Sequence, residues 1–108
     1  MTGPQRAILL VEDDQRLAQM LRDRLTHQGY VVWAATSAAE AEAVVQSVTP
    51  DLILIDLMLP DQGGLVLCAK LREKLTAPII ICSGTQRKDD AVLAFKLGAT
   101  DFMRKRPF

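Results

Sequence analysis

Three short, wholly apolar runs constrain this chain more than any other feature: Ala7-Ile-Leu-Leu-Val11, Leu52-Ile-Leu-Ile55 and Pro78-Ile-Ile-Ile-Cys82. None alternates apolar with polar residues, so each reads as a strand covered on both faces. Between them the period turns helical. From Asp14 to Gln28, Leu17, Met20, Leu21 and Leu25 share one stripe, while Arg16, Arg22, Asp23 and Arg24 lie off it. Asp14 is the predicted N-cap of this helix and Gly29 its C′ residue. Tyr30 to Ala34 is a second strand. Ser37-Ala-Ala-Glu40 is a capping box that opens a second helix, with Ala41, Val44, Val45 and Val48 facing inward and Thr49-Pro50 ending it. Gly63-Gly64 allows a tight approach before a third helix, Leu65 to Leu75. A fourth helix runs from Asp89 to Leu97, where Gly98 ends it, and Asp101 to Met103 forms a fifth strand.

Strands and helices alternating over short connections mean an α/β fold, a doubly wound five-stranded parallel sheet with helices on both faces. At 108 residues the chain is one domain, with no internal repeat, low-complexity stretch or linker. Its 13 basic and 13 acidic residues balance, so no global charge attracts nucleic acid or an anionic membrane. The triplet Arg104-Lys105-Arg106 is short enough to be a solvated face. No apolar run approaches the ~20 residues of a membrane span, and the N-terminus lacks a signal-peptide core. Cys68 and Cys82 lie in apolar stretches without other thiols or histidines at metal-ligand spacing. They read as buried free thiols, which fits a reducing, cytoplasmic setting.

The chemistry gathers where strands end. Glu12-Asp13-Asp14 follows the first strand, Asp56 ends the third, and Ser83 lies just past the fourth. Parallel sheets bind ligands beyond the carboxyl ends of their strands, where strand order reverses. Carboxylates converging there repel one another by ~4 kcal/mol per pair at 4 Å and an effective dielectric near 20. A hard cation relieves that repulsion, and Mg²⁺, which takes oxygen ligands and keeps waters, suits a shallow acidic pocket. Asp56 is placed to react, so the pocket points to phosphoryl chemistry on an aspartate. Asp14 reads as a helix cap, His27 as a surface residue and Trp33 as packing.

The segments Ile8-Leu-Leu-Val-Glu-Asp-Asp14, Asp51-Leu-Ile-Leu-Ile-Asp-Leu-Met-Leu-Pro60, Pro78-Ile-Ile-Ile-Cys-Ser-Gly84 and Gly98-Ala-Thr-Asp-Phe-Met-Arg-Lys105 together resemble the receiver domain of two-component response regulators (the CheY-like superfamily). The likeness runs in order from Ala7 to Phe108. It implies a flavodoxin-like sheet in the order 2-1-3-4-5. It also implies Mg²⁺-dependent phosphoryl transfer from the phosphohistidine of a sensor histidine kinase to Asp56. By position, Asp13 resembles a direct metal ligand, Glu12 its acidic neighbour, and the carbonyl of Met58 the backbone ligand. Ser83 resembles the hydroxyl that contacts the phosphoryl group, Lys105 the phosphate-binding lysine, and Phe102 the aromatic that rotates inward on activation. The implied partners are the kinase, an output domain of DNA-binding type, and a second copy through the face of the fourth helix and fifth strand. Such a domain is a signalling switch that promotes its own phosphoryl transfer and dephosphorylation, and it makes no direct contact with nucleic acid or membrane.

Two departures qualify the likeness. The family's lysine normally stands directly before proline; here Arg106 intervenes, giving Lys105-Arg106-Pro107. Counting forward from Phe102 selects Lys105, and any cis peptide moves to Arg106-Pro107. The chain also stops before the family's fifth helix. The expectation is therefore a single receiver domain over 1–108, truncated, with its output domain absent and apolar surface beside the first and fifth strands left bare. Met58 and Thr85 flank the site as residues that tune phosphate loss. The alternative is a pseudo-receiver, a phosphate-independent interaction module, for which the displaced lysine is the best support. An aspartate phosphatase would carry a second aspartate where Met58 stands, and neither a Gly-x-Gly-x-x-Gly motif nor a P-loop occurs.

Overall fold

Each apolar run forms a strand in the computed structural model, which describes residues 5–84 and 88–105. Strands β1 (Ala7–Val11), β2 (Val31–Ala35), β3 (Leu52–Asp56), β4 (Ile79–Ser83) and β5 (Asp101–Arg104) alternate with four helices among these residues. The helices are α1 (Gln15–His27), α2 (Ala38–Val44), α3 (Gly64–Lys74) and α4 (Lys88–Lys96). The sheet order is β2-β1-β3-β4-β5, as the resemblance implies, and every pairing is parallel.

Alternation along the strands divides the core between the two faces of the sheet. Leu9, Val11, Ile53, Ile55, Ile79 and Ile81 face α2, α3 and α4 and meet Ala38, Ala41, Leu67, Leu71 and Ala94. Burying one such Ile or Leu contributes ~1.5–3 kcal/mol, so this layer dominates cohesion. On the opposite face Leu10 and Val32 meet Ala18 of α1, with Leu21, Leu25 and Leu54 only partly covered. The predicted α1 stripe is thus half-buried. Leu17 and Leu21 border an apolar groove of about 330 Å³ that also takes in Leu10, Leu54, Cys82 and Met103, and that reaches Glu12, Asp56 and Lys105.

Local chemistry sets the helix ends. Asp14 caps α1, its Oδ1 accepting from the amides of Arg16 (3.0 Å) and Leu17 (3.2 Å). Gly29 and Gly98 take φ of +98° and +110° just after α1 and α4, the left-handed geometry that favours glycine. At α2 the capping box is only half realised. Ser37 Oγ accepts from the Glu40 amide at 3.1 Å, but the Glu40 carboxylate accepts from the amide and hydroxyl of Thr36 (2.7 and 2.9 Å) instead of the Ser37 amide. Helix α2 also ends at Val44, before the expected Thr49-Pro50 stop. There the backbone tightens, the Gln46 and Ser47 amides donating to the carbonyls of Ala43 and Val44 three residues back, while Val44 and Val45 still pack on the core.

Trp33, expected to pack, is 43% exposed; β2 is an edge strand, paired with β1 alone among the described residues. Cys68 is buried and Cys82 half-buried; both thiols are free and burial pushes both upward in pKa.

Candidate functional site

Register brings two carboxylates together. Val11 of β1 pairs with Ile55 of β3, so Glu12 and Asp56 stand side by side at the carboxyl ends of neighbouring strands. This is the point where the chain's connections diverge to either side of β1, the position at which such sheets bind ligands. Glu12 and Asp56 are only 3% and 6% exposed, whereas Asp13 is open to solvent. Carboxylate oxygens of Glu12, Asp13 and Asp56 all lie within 4.8 Å of one another.

Backbone contacts fix the two buried members. The Glu12 amide donates to Ala35 O at 2.9 Å, carrying the β1–β2 ladder one residue past the strand. Glu12 Oε2 accepts from the Asp14 amide at 3.1 Å, and Asp56 Oδ1 from the Met58 amide at 3.2 Å. After Asp56, the Leu57 amide donates to Cys82 O and the Gly64 amide to Leu57 O, both at 2.8 Å. A Cβ at Gly64 would overlap the Asp56 carbonyl oxygen and Leu57 Cα, so α3 can start this close to the site only with glycine there.

Lys105 closes the pocket. Its amide donates to Ser83 O at 2.6 Å, extending the β4–β5 pairing past Arg104. Its Nζ lies 2.6 Å from Glu12 Oε1 and 3.1 Å from Asp56 Oδ2. Burial pushes the Glu12 carboxyl above its usual range, outweighing the lowering by Lys105 and the Asp14 amide. Burial alone would lower Lys105, but hydrogen bonds to Glu12 and Asp56 and their charges hold it above the usual lysine value. The lysine is therefore a permanent cation at neutral pH, set between two carboxylates. An all-oxygen set of carboxylates without thiol or imidazole is the donor chemistry of a hard divalent cation such as Mg²⁺.

Ser83, nearly sealed at 1% exposure, ends β4 beside this cluster. Phe102 pairs with Ile81 and is half-buried against the main core. The Met58 side chain is 74% exposed. Asp14 serves as a helix cap, and His27 is exposed. Thr85, Arg106 and the Arg106-Pro107 peptide lie outside the described residues. Val92, Leu93 and Phe95 of α4 and Met103 of β5 are large apolar residues left exposed.

One residue escaped the sequence reading. Asp61, five positions after Asp56, accepts from the Ala38 amide through Oδ1 and from the Ala39 amide through Oδ2, both at 2.9 Å. Those amides hold its carboxyl below the usual range. An acidic residue beside Pro60 in a turn reads locally as a turn former. Its partners lie more than twenty positions upstream, and no local pattern points to them.

The family model of the response regulator receiver domain matches residues 8–107. Among solved structures, the chain is similar to the receiver domain of the TMAO respiratory system response regulator TorR, with 34% identity and a TM-score of 0.87 over 94% of this chain and 85% of that one. It is similar to the BeF3-activated N-terminal receiver domain of Klebsiella pneumoniae RstA, with 29% identity and a TM-score of 0.89 over 95% and 88%. A Burkholderia pseudomallei response regulator, solved with a phosphorylated aspartic acid, calcium ion and citrate, matches with 28% identity and a TM-score of 0.91 over 96% of this chain and 62% of that one.

Proposed function

Because this chain belongs to the receiver domains of two-component response regulators, we propose that it is a phosphorylation-dependent switch whose acceptor is Asp56. The observation that carries this reading is the convergence of Glu12, Asp13 and Asp56 at one strand-order reversal, with Lys105 bonded to two of them. The Burkholderia relative with a phosphorylated aspartic acid and a calcium ion supports it.

Glu12, Asp13, Asp56 and the Met58 carbonyl would hold Mg²⁺. When bound, that ion offsets carboxylate repulsion and polarises the incoming phosphoryl group. An Asp56 carboxylate oxygen attacks phosphorus. One O–P bond forms, and the N–P bond of the sensor kinase's phosphohistidine breaks with its electron pair left on the imidazole. Lys105, already a cation beside Asp56, pairs with phosphoryl oxygens as charge accumulates on them. Ser83 donates its hydroxyl to one of these oxygens.

The new group adds a charge of about −1.5 to −2 at Asp56. Movement of Ser83 toward it opens space beside β4, and the Phe102 ring fills that space. The face formed by α4 and β5 then changes shape, shifting a pre-existing equilibrium. Val92, Leu93, Phe95 and Met103 give that face an apolar surface for a second copy or for an output domain of DNA-binding type.

Incubation with acetyl phosphate, with and without Mg²⁺, tests the reading. Stoichiometric uptake by the wild type that requires the metal and is absent from Asp56→Asn is the expected result. A folded wild type that takes up nothing would instead favour the phosphate-independent interaction module.

A further inference from the structure

We infer that Asp61 is a positioning residue for the divalent-ion site, clamping the loop after Asp56 to the first turn of α2 and so fixing the Met58 carbonyl. The inference rests on the proposed metal site and adds a residue remote from it.

The loop between β3 and α3 starts well anchored. Leu57 donates to β4 through its amide and accepts from Gly64 through its carbonyl. The next residue, Met58, is held on its amide side, where it donates to Asp56 Oδ1 at 3.2 Å, while its side chain is exposed. Leu59 packs against the core, but apolar contact is non-directional and does not fix a carbonyl's aim. Beyond the Met58 amide, the next directional restraint is Asp61, whose two carboxylate oxygens take one α2 amide each while Oδ1 also accepts from the Gln62 amide at 3.1 Å. Bonds to an ionised carboxylate are shorter and stronger than those between neutral groups.

The far side of the clamp is also tied to the site. Ala35, at the end of β2, accepts from the Glu12 amide, and three residues later α2 begins. Asp61 therefore joins the loop that follows Asp56 to the strand end that holds Glu12. Glu40 provides an internal control. It braces the same helix turn through Thr36 but makes no hydrogen bond to the loop 57–63.

The experiment measures Mg²⁺ affinity by calorimetry, and amide exchange without metal, for wild type, Asp61→Ala, Asp61→Asn and Glu40→Ala. Thermal melts establish that each variant folds. Asp61→Ala should bind Mg²⁺ about tenfold more weakly, the low end for a residue supporting a ligand from outside. Asp61→Asn, with one acceptor oxygen left, should fall between it and the wild type. Glu40→Ala should stay within about twofold of wild type, because removing a support for the helix alone leaves the ligands aimed. Amides of residues 58–62 should exchange faster in Asp61→Ala and not in Glu40→Ala. Wild-type affinity in Asp61→Ala, or an equal loss in Glu40→Ala, overturns this inference alone. No Mg²⁺ binding by the wild type overturns the metal site and this inference with it.

Discussion

Lys105 Nζ lies closer to Glu12 (2.6 Å) than to Asp56 (3.1 Å), although Glu12 is the more deeply buried of the two carboxylates. In the metal-free protein the lysine is thus the counter-cation for both buried carboxylates. Removing it strands buried negative charge. Lys105→Ala should lower metal-free stability by ~1–3 kcal/mol, below the ~3–5 of a fully buried pair because the lysine is partly exposed. Mg²⁺ should restore more stability to this variant than it adds to the wild type. Thermal melts with and without the ion check both statements. Lys105→Ala should also impair phosphoryl uptake more than Arg106→Ala; the reverse order would move the phosphate contact to Arg106.

Asp13 is the exposed member of the cluster and shares its like charge with two buried neighbours. Asp13→Asn removes one charge from within 4.8 Å of the others. Solvent screening keeps the relief small, so metal-free stability should rise by roughly 0.5–1 kcal/mol. The same change should nearly abolish the Mg²⁺-dependent rise in melting temperature, which follows mass action on the folded state. A variant that keeps the wild-type response to the ion would remove Asp13 from the ligand set.

Gly63 and Gly64 are adjacent but not equivalent. A methyl at Gly64 would overlap the backbone of Asp56 and Leu57, whereas at Gly63 it meets nothing within 4 Å. Gly64→Ala should cost ~1–3 kcal/mol and slow phosphoryl uptake, because the acceptor's own peptide must shift. Gly63→Ala should stay within about 0.5 kcal/mol of wild type. Chemical denaturation of the pair, followed by uptake rates, tests the difference.

The N-terminus of α2 carries a pH dependence. The Ala38 and Ala39 amides hold Asp61 below the usual carboxylate range, and the Thr36 amide and hydroxyl do the same for Glu40. A carboxyl depressed in the folded state adds stability above its unfolded pKa and loses it as pH falls through the folded one. Stability should therefore decline as pH drops below about 4. The double variant Asp61→Asn, Glu40→Gln should decline less over that interval. Identical pH profiles for the two proteins would contradict the capping roles.

Much of this was legible in sequence because the signals are local or periodic. Unbroken apolar runs at Leu9, Ile53 and Ile81 specify buried parallel strands, and Asp14 and Gly29 mark their helix from within one turn. Carboxylates placed just after two such runs must meet once the strands are neighbours, so Glu12, Asp13 and Asp56 could be grouped. Longer-range contacts left no comparable mark. Asp61, in the loop after β3, reaches back to Ala38 at the start of α2, and Glu40 takes the amide of Thr36, a choice that spacing does not resolve. Trp33 reads as packing because its composition says strand; the implied order already makes that strand an edge, but how far an edge-strand ring is covered is not written in local sequence.

The central claim is tested most directly by mapping the phosphoryl adduct formed from acetyl phosphate and Mg²⁺, by borohydride trapping and peptide mass spectrometry. The account predicts one modified residue, Asp56, and none when the metal is chelated. A modified residue elsewhere, or labelling that is indifferent to the metal, would contradict it.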